Sequence, residues 1–254
     1  MKQQNNISVF KSKAAMAKAA AELVIEISEK AIKEHGKFTW VLSGGSTPEN
    51  LFTLLATLEY RDKIDWKKTF IFWGDERFVP ENDDLNNAFN AKKLLLNHLA
   101  IPSKNIFPIP VNSSPDLAAK KYEVTIKKFF GKDIPRFDLI FLGLGQDGHT
   151  ASLFPGSDVL FEKTQLVSDV YEADQKMYRI TITPVLINKA HTIVFLVEGK
   201  NKAEILNTVI NGTRKPEKFP AQIIHADEGN LNWYVDEKAA SLLFENSLNS
   251  TKKK

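Results

Sequence analysis

The chain has 254 residues, of which 43% are hydrophobic and 26% charged, so it is long enough and apolar enough for the large core of one soluble domain. Its formal net charge is only +3, with 34 Lys and Arg against 31 Asp and Glu, which disfavours a nucleic-acid-binding protein because such proteins concentrate basic residues far more strongly. The chain has no cysteine, which excludes disulfides and thiol catalysis.

The N-terminal region is predicted to form an amphipathic helix. Its apolar stretch, residues 14–27, is interrupted by charged side chains, which disfavours both a signal peptide and a membrane span. Ser12 is a suitable cap for the start of this helix, and Gly36 is suited to its end.

Strand and helix patterns alternate through almost the whole remaining chain. Predicted strands cover residues 38–42, 69–73, 137–142, 191–197 and 231–235, with a half-exposed strand around Tyr178, Ile180 and Ile182. Predicted helices begin near residues 47, 87, 115 and 202, and another follows the last strand. This order predicts an α/β fold: a Rossmann-like, mostly parallel central sheet flanked by helices. No linker marks a boundary, so we expect one domain over residues 1–254, with a disordered Lys-rich tail from about residue 250.

Three polar or glycine-rich loops follow predicted strands. Ligands of open α/β sheets bind beyond the carboxyl ends of the strands. We therefore expect the three loops to meet at one cleft.

The first loop contains Gly44, Gly45, Ser46 and Thr47, with Thr47 as the predicted cap of the following helix. Glycines let backbone amides approach an anion, hydroxyls donate hydrogen bonds, and a helix N-terminus favours negative charge. The loop therefore suits a phosphate, although a tight turn with a helix cap gives the same pattern. It matches neither the Walker motif nor the dinucleotide-binding glycine spacing.

The second loop carries three adjacent charges, Asp75, Glu76 and Arg77. Such a cluster is usually a solvated surface, but its place at the end of a strand favours the cleft. Arg179 and Lys202 are isolated basic residues, and with the glycine loop they supply the charge-assisted contacts that a phosphate monoester requires.

The third loop places Asp147 and His149 close after Gly145 and the most apolar strand. An imidazole titrates near neutrality and often acts as a general base, which a neighbouring carboxylate can orient. A turn with a solvated histidine is the alternative. The other four histidines, His35, His98, His191 and His225, lie in contexts that favour structural or surface roles, and no metal-binding spacing occurs.

Together these motifs, SGGSTP at 43–48, GDERFVP at 74–80 and GLGQDGHTASLFPG at 143–156, resemble the 6-phosphogluconolactonase family over nearly the whole chain. The resemblance implies a fold shared with glucosamine-6-phosphate deaminases and ribose-5-phosphate isomerases. It implies hydrolysis of 6-phospho-D-glucono-1,5-lactone in the oxidative pentose phosphate pathway, without a cofactor or metal. The chain differs from the family at Asn86-Asn87, where Ser-Asn is usual, and we interpret this difference as a tolerated change of helix cap.

Three other functions are disfavoured. A deaminase typically has Asn-Glu-Pro-Gly where this chain has residues 153–156 (LFPG), and Asp-Glu-Tyr in place of the Asp-Glu-Arg motif. A phosphosugar-binding regulator tends to carry a fused DNA-binding domain, or to lose the Asp-His pair while it keeps the phosphate loop, and this sequence shows neither feature. A Ser-His-Asp hydrolase requires a Gly-x-Ser-x-Gly elbow, which is absent.

In the resulting hypothesis, His149 activates water, and Asp147 or a backbone carbonyl orients the His149 ring. Arg77 and the amides of residues 145–148 contact the oxyanion. The phosphate lies on the glycine loop with Arg179 and Lys202 around it, and Asp75 and Gly145 also contact substrate. We expect a cytoplasmic monomer or small homo-oligomer whose partner is a phosphorylated sugar lactone, with no nucleic-acid or membrane partner.

Overall fold

The computed structural model of the protein describes residues 6–244, so the predicted Lys-rich tail lies outside the described residues. A six-stranded sheet forms the centre, in the order β1-β9-β8-β5-β2-β3, and every neighbouring pair is parallel. Its strands are β1 (Asn6–Phe10), β2 (Phe38–Leu42), β3 (Thr69–Trp73), β5 (Leu139–Leu142), β8 (Thr192–Val197) and β9 (Asn230–Asp236). A second, antiparallel sheet has the order β4-β7-β6, with β4 (Asp75–Arg77), β6 (Val167–Glu172) and β7 (Met177–Ile182).

Six α-helices in the described residues connect these strands. They are α1 (Lys13–His35), α2 (Ser46–Leu55), α3 (Asn87–Leu94), α4 (Pro115–Phe130), α5 (Pro184–Ile187) and α6 (Ala203–Asn211). The predicted ends of α1 are confirmed, since the Ser12 hydroxyl accepts a hydrogen bond from the Ala15 amide and Gly36 adopts a left-handed conformation with φ of 79°. Among residues 6–244, no helix is both long and apolar enough to span a bilayer.

The core lies along the middle strands. All five residues of β2 are buried, as expected for a parallel strand covered on both faces. Trp40 on this strand packs edge-on against Phe141 of β5, and Phe195 stacks on Trp233 with 3.9 Å between ring centroids. The predicted α/β class with a mostly parallel central sheet is confirmed.

Gly74 joins the two sheets. Its amide donates to the Leu42 carbonyl at the end of β2, at 2.9 Å, and its carbonyl accepts from the Ile182 amide at the end of β7, at 2.8 Å. The chain thus passes directly from the central sheet into β4, which lies next to the carboxyl ends of the parallel strands.

The sequence-based boundaries differ from the structure in several places. Helix α2 begins at Ser46 with Gly45 as its cap, so Thr47 is not the cap residue. The buried strand predicted from residue 137 begins at Leu139. The strands β1, β4 and β6, and hence the second sheet, were not predicted from the sequence. The predicted final helix is a short 3-10 turn, Ala239–Leu242, within the described residues.

Candidate active site

A cavity of about 310 Å³ opens at the carboxyl ends of β2, β3 and β5, against β4 and β7 of the second sheet. The three loops therefore meet at one cleft. The predicted site residues that line it are Gly44, Gly45, Ser46, Thr47, Asp75, Arg77, Gly145, His149, Arg179 and Lys202. Asp147 is the one predicted site residue outside this lining, and it contacts His149 directly.

The Asp147–His149 pair is formed. Nδ1 of His149 lies 2.6 Å from Oδ1 of Asp147, and the same oxygen accepts from the His149 amide at 3.1 Å. Burial acts to raise the pKa of Asp147, but the hydrogen bond and charge of His149 outweigh it and hold that pKa below its usual value. The ring also packs against Phe154, with 4.8 Å between centroids. With Nδ1 engaged, Nε2 is the nitrogen available to water or substrate.

Gly145 is required for this pair. A Cβ on Gly145 would overlap Nδ1 of His149 and the carboxylate of Asp147. The loop is closed by two backbone bonds, from the Gly145 amide to the His149 carbonyl (2.8 Å) and from the Gly148 amide to the Gly145 carbonyl (3.1 Å). Because these two amides already donate inside the loop, the Gln146 amide is the better candidate for an oxyanion contact.

Two arginines lie side by side on neighbouring strands of the second sheet. Arg77 of β4 is paired in register with Arg179 of β7, so both side chains lie on the same face of that sheet. Like charges directly opposite each other repel. An anion bound in the cavity would relieve this repulsion.

Arg179 is buried, in contrast to the half-exposed strand that the sequence predicted. Only 5% of the residue is exposed, and its Nη2 donates to Oε1 of Gln175 at 2.7 Å. Its Nε is buried with no hydrogen-bond partner in the structure. Burial lowers the pKa of the guanidinium, opposed chiefly by the charge of Asp75. A cation that lines a cavity is suited to hold an anion there.

Lys202 reaches the cavity from the turn after β8. Its Nζ donates to the Leu144 carbonyl at 2.7 Å, beside the Asp147–His149 loop. Burial lowers the pKa of this amine, and the charge of Asp147 opposes that effect. The Lys202 ammonium therefore lies beside the Asp147–His149 loop, in the cavity that the glycine loop also lines.

The glycine loop ends at a helix N-terminus that opens on the cavity. Gly45 has φ of 99°, which favours glycine, and α2 begins at Ser46, so its first amides have no intrahelical acceptor. A Cβ on Gly44 would overlap the side-chain amide of Asn87, which would then have to move. The loop has the features of an anion site.

Asn87 is a cavity residue that sequence reasoning missed. Its Oδ1 accepts from Nη1 of Arg77 at 2.8 Å, and its Nδ2 donates to the Asp75 carbonyl at 2.9 Å. The signal in the sequence was the Asn86-Asn87 pair, which we interpreted only as a cap. Asn86 is indeed the cap of α3, accepting from the Phe89 amide at 2.8 Å.

Ser152 is a second residue that the sequence did not indicate. Its hydroxyl, fully buried, donates to Oδ2 of Asp75 at 2.7 Å, and its amide donates to the Thr181 hydroxyl at 3.2 Å. It thus links the histidine loop to the arginine strands. The neighbouring Ala151 has φ of 48°, a strained conformation for a residue with a Cβ, at the cavity wall.

The other histidines lie elsewhere. His35 and His225 pair with Asp138 and Asp227, each at 3.0 Å, and His98 contacts a backbone carbonyl. Over the described part of the chain, no group of three or more His, Asp or Glu side chains is arranged to hold a metal.

Comparison with known proteins gives one family. The family model described as glucosamine-6-phosphate isomerases/6-phosphogluconolactonase matches residues 11–233. The chain is 37% identical to the 6-phosphogluconolactonase of Synechocystis over 93% of this chain and 98% of that protein. It is 28% identical to the solved 6-phosphogluconolactonase of Trypanosoma cruzi, with a TM-score of 0.85 over 96% of this chain and 98% of the other. A monomeric glucosamine-6-phosphate deaminase shares the fold, with a TM-score of 0.79 at 21% identity over 93% of this chain and 99% of that one.

Proposed function

The chain belongs to the glucosamine-6-phosphate isomerase/6-phosphogluconolactonase family, and on this premise we propose that it hydrolyses 6-phospho-D-glucono-1,5-lactone to 6-phospho-D-gluconate in the oxidative pentose phosphate pathway. One observation carries the proposal. A single cavity is lined by an anion cradle, Gly44, Gly45, Ser46 and Thr47, and by His149, which Asp147 contacts from outside the lining. Hydrolysis of a phosphorylated lactone requires both an anion site and a general base.

The phosphate binds at the cradle formed by Gly44, Gly45, Ser46 and Thr47. Arg179 supports this placement, because it is a cation that lines the same cavity as these residues. Lys202 adds a second cation. Binding energy from the phosphate, remote from the reacting bond, holds the lactone carbonyl beside His149 and lowers the entropic part of the barrier.

Hydrolysis needs no covalent nucleophile because a lactone is an activated ester. Asp147 holds His149 through Nδ1, so Nε2 takes a proton from water as the water oxygen bonds to the carbonyl carbon. Arg77 and the Gln146 amide stabilise the oxyanion. Collapse of the tetrahedral intermediate breaks the bond from carbon to ring oxygen, and His149 returns its proton to that oxygen to give the hydroxy acid.

The loop after Asp147 and His149 favours the lactonase over the deaminase. Leu153 and Phe154 are buried, and the Phe154 ring packs on His149, where a deaminase typically supplies a carboxylate for ring opening. Arg77 likewise stands where the deaminase has a tyrosine. We further propose that the enzyme acts in the cytoplasm without a cofactor, as a monomer or small homo-oligomer without a nucleic-acid or membrane partner.

The test is a coupled or pH-stat assay on freshly generated 6-phosphogluconolactone, with glucosamine 6-phosphate in parallel. We expect turnover of the lactone alone, a much lower kcat/KM for unphosphorylated gluconolactone, and competitive inhibition by inorganic phosphate. Equal kcat/KM for the two lactones would contradict phosphate binding in the cradle. Release of ammonia from glucosamine 6-phosphate would support the deaminase.

A further inference from the structure

Glu76 is a carboxylate that lies behind the active site. It is fully buried, and since side chains alternate along a strand, it points to the face of β4 opposite Asp75 and Arg77. It does not line the cavity. The proposed mechanism gives it no role.

Both carboxylate oxygens of Glu76 bind backbone amides. Oε1 accepts from the amides of Arg77 (2.9 Å) and Asn87 (2.7 Å), and Oε2 accepts from the amide of Ala88 (2.9 Å). The last two amides belong to the first turn of α3, where amides lack an intrahelical acceptor and negative charge is favoured. One side chain therefore ties strand β4 to the start of α3.

This tie determines where Arg77 points. Nη1 of Arg77 donates to Oδ1 of Asn87 (2.8 Å) and to the Leu85 carbonyl (3.1 Å), both at the start of α3. A shift of α3 relative to β4 would carry those acceptors away and turn the guanidinium. Glu76 holds both ends of this arrangement, the backbone of Arg77 and that of Asn87.

A buried carboxylate is costly, which argues for a specific role. Burial raises the pKa of Glu76 to about 7, and its three amide donors oppose that rise. An apolar residue would avoid the desolvation but would leave the three amides without their acceptor.

We propose that Glu76 is a positioning residue for lactone hydrolysis, which holds Arg77 and Asn87 in the arrangement that directs the Arg77 guanidinium at the reacting carbonyl. The proposal rests on the proposed function, because it assigns Arg77 to the carbonyl. It makes Glu76 act on kcat through Arg77 and not on phosphate binding.

The test compares Glu76→Gln with the wild type. The glutamine keeps the shape but places an NH2 group where one or more amide donors require an acceptor. We expect kcat for the phosphorylated lactone to fall roughly 10- to 100-fold, the effect of a small displacement of a catalytic group. KM and the inhibition constant of inorganic phosphate should change less than threefold, since the hydrogen bonds of Glu76 go to Arg77, Asn87 and Ala88 and not to the glycine loop.

Glu123→Gln is the matched control. Glu123 also accepts from two backbone amides, those of Leu166 and Val167, but it lies outside the cavity. It should lose stability without losing kcat. Glu76→Asp keeps the charge on a shorter side chain and should give an intermediate kcat, and it replaces Glu76→Gln if the latter does not fold.

A double-mutant cycle locates the effect. In an Arg77→Ala background, Glu76→Gln should lower kcat by less than threefold, with rates corrected for spontaneous hydrolysis. An undiminished loss in that background, wild-type kcat in both Glu76 variants, or equal losses of kcat and phosphate affinity would overturn the positioning role while leaving the lactonase function intact. Absence of lactone turnover by the wild type would overturn both.

Discussion

Arg179→Ala separates phosphate binding from chemistry. The residue is only 5% exposed, donates to Gln175 at 2.7 Å and lines the cavity, and we expect its guanidinium to bind the phosphate. Loss of one charge-assisted hydrogen bond costs about 1.5–3 kcal/mol. KM for the phosphorylated lactone should therefore rise roughly 10- to 150-fold, with little change in kcat.

The assay measures kcat and KM for the phosphorylated and unphosphorylated lactones. The unphosphorylated lactone should be affected little, because it has no group for Arg179 to bind. Arg136→Ala is the matched control: Arg136 pairs with Glu228 at 3.2 Å, outside the cavity, and its loss should leave both substrates unaffected.

Two results would contradict the assignment of Arg179 to the phosphate. A fall in kcat with both lactones would place Arg179 at the carbonyl and the phosphate elsewhere. Unchanged kinetics with both would make Arg179 a purely structural residue. Thermal unfolding adds a check that the variant is folded, because loss of this buried side chain also removes its packing and its hydrogen bond to Gln175.

Three further predictions follow from the site. His149→Ala should lower kcat roughly 10²–10⁴-fold, as expected for loss of a general base, and leave inhibition by phosphate intact; a folded, fully active variant would remove His149 from the mechanism. Gly145→Ala should lower kcat in the same way, because its methyl group would separate Asp147 from His149. Finally, burial raises the pKa of Glu76 from 4.5 to about 7, so the folded protein binds the proton of this carboxyl more tightly than the unfolded chain does. The free energy of unfolding should therefore fall by about 3 kcal/mol as the pH rises from 4.5 to 7. Urea unfolding across this range should show the fall in the wild type but not in Glu76→Gln, and parallel profiles would show that the carboxyl is already ionised at pH 5.

Local patterns predicted the parts of the fold that depend on local chemistry. The mostly apolar run of Phe38–Leu42 and the cap at Ser12 identified β2 and the start of α1, because burial and capping depend on neighbouring residues. The family resemblance carried by the loop motifs is confirmed by the comparisons. The contact between Asp147 and His149 was also predictable, since only one residue separates them.

The features that were missed depend on distant partners. Asp75–Arg77 consists of three charged residues and forms a strand only because β7 pairs with it, about 100 positions along the chain. In the sequence, Asn87 is only a polar residue at the start of a helix, and its contact with the site requires Arg77, which donates to its side chain from strand β4. The burial of Arg179 follows from the packing of the second sheet over the cleft, which alternation along β7 does not reveal.

The position of Gly74 has a consequence for the thermodynamics of binding. Gly74 is hydrogen-bonded to Leu42 at the end of β2 and to Ile182 at the end of β7, the strand that carries Arg179. These bonds hold the cradle and strands β4 and β7 in place relative to each other before any ligand binds. The conformational entropy of assembling the anion site is therefore lost when the chain folds and not when substrate binds. We therefore expect substrate to bind a preorganised site, so that more of its intrinsic binding energy remains for catalysis.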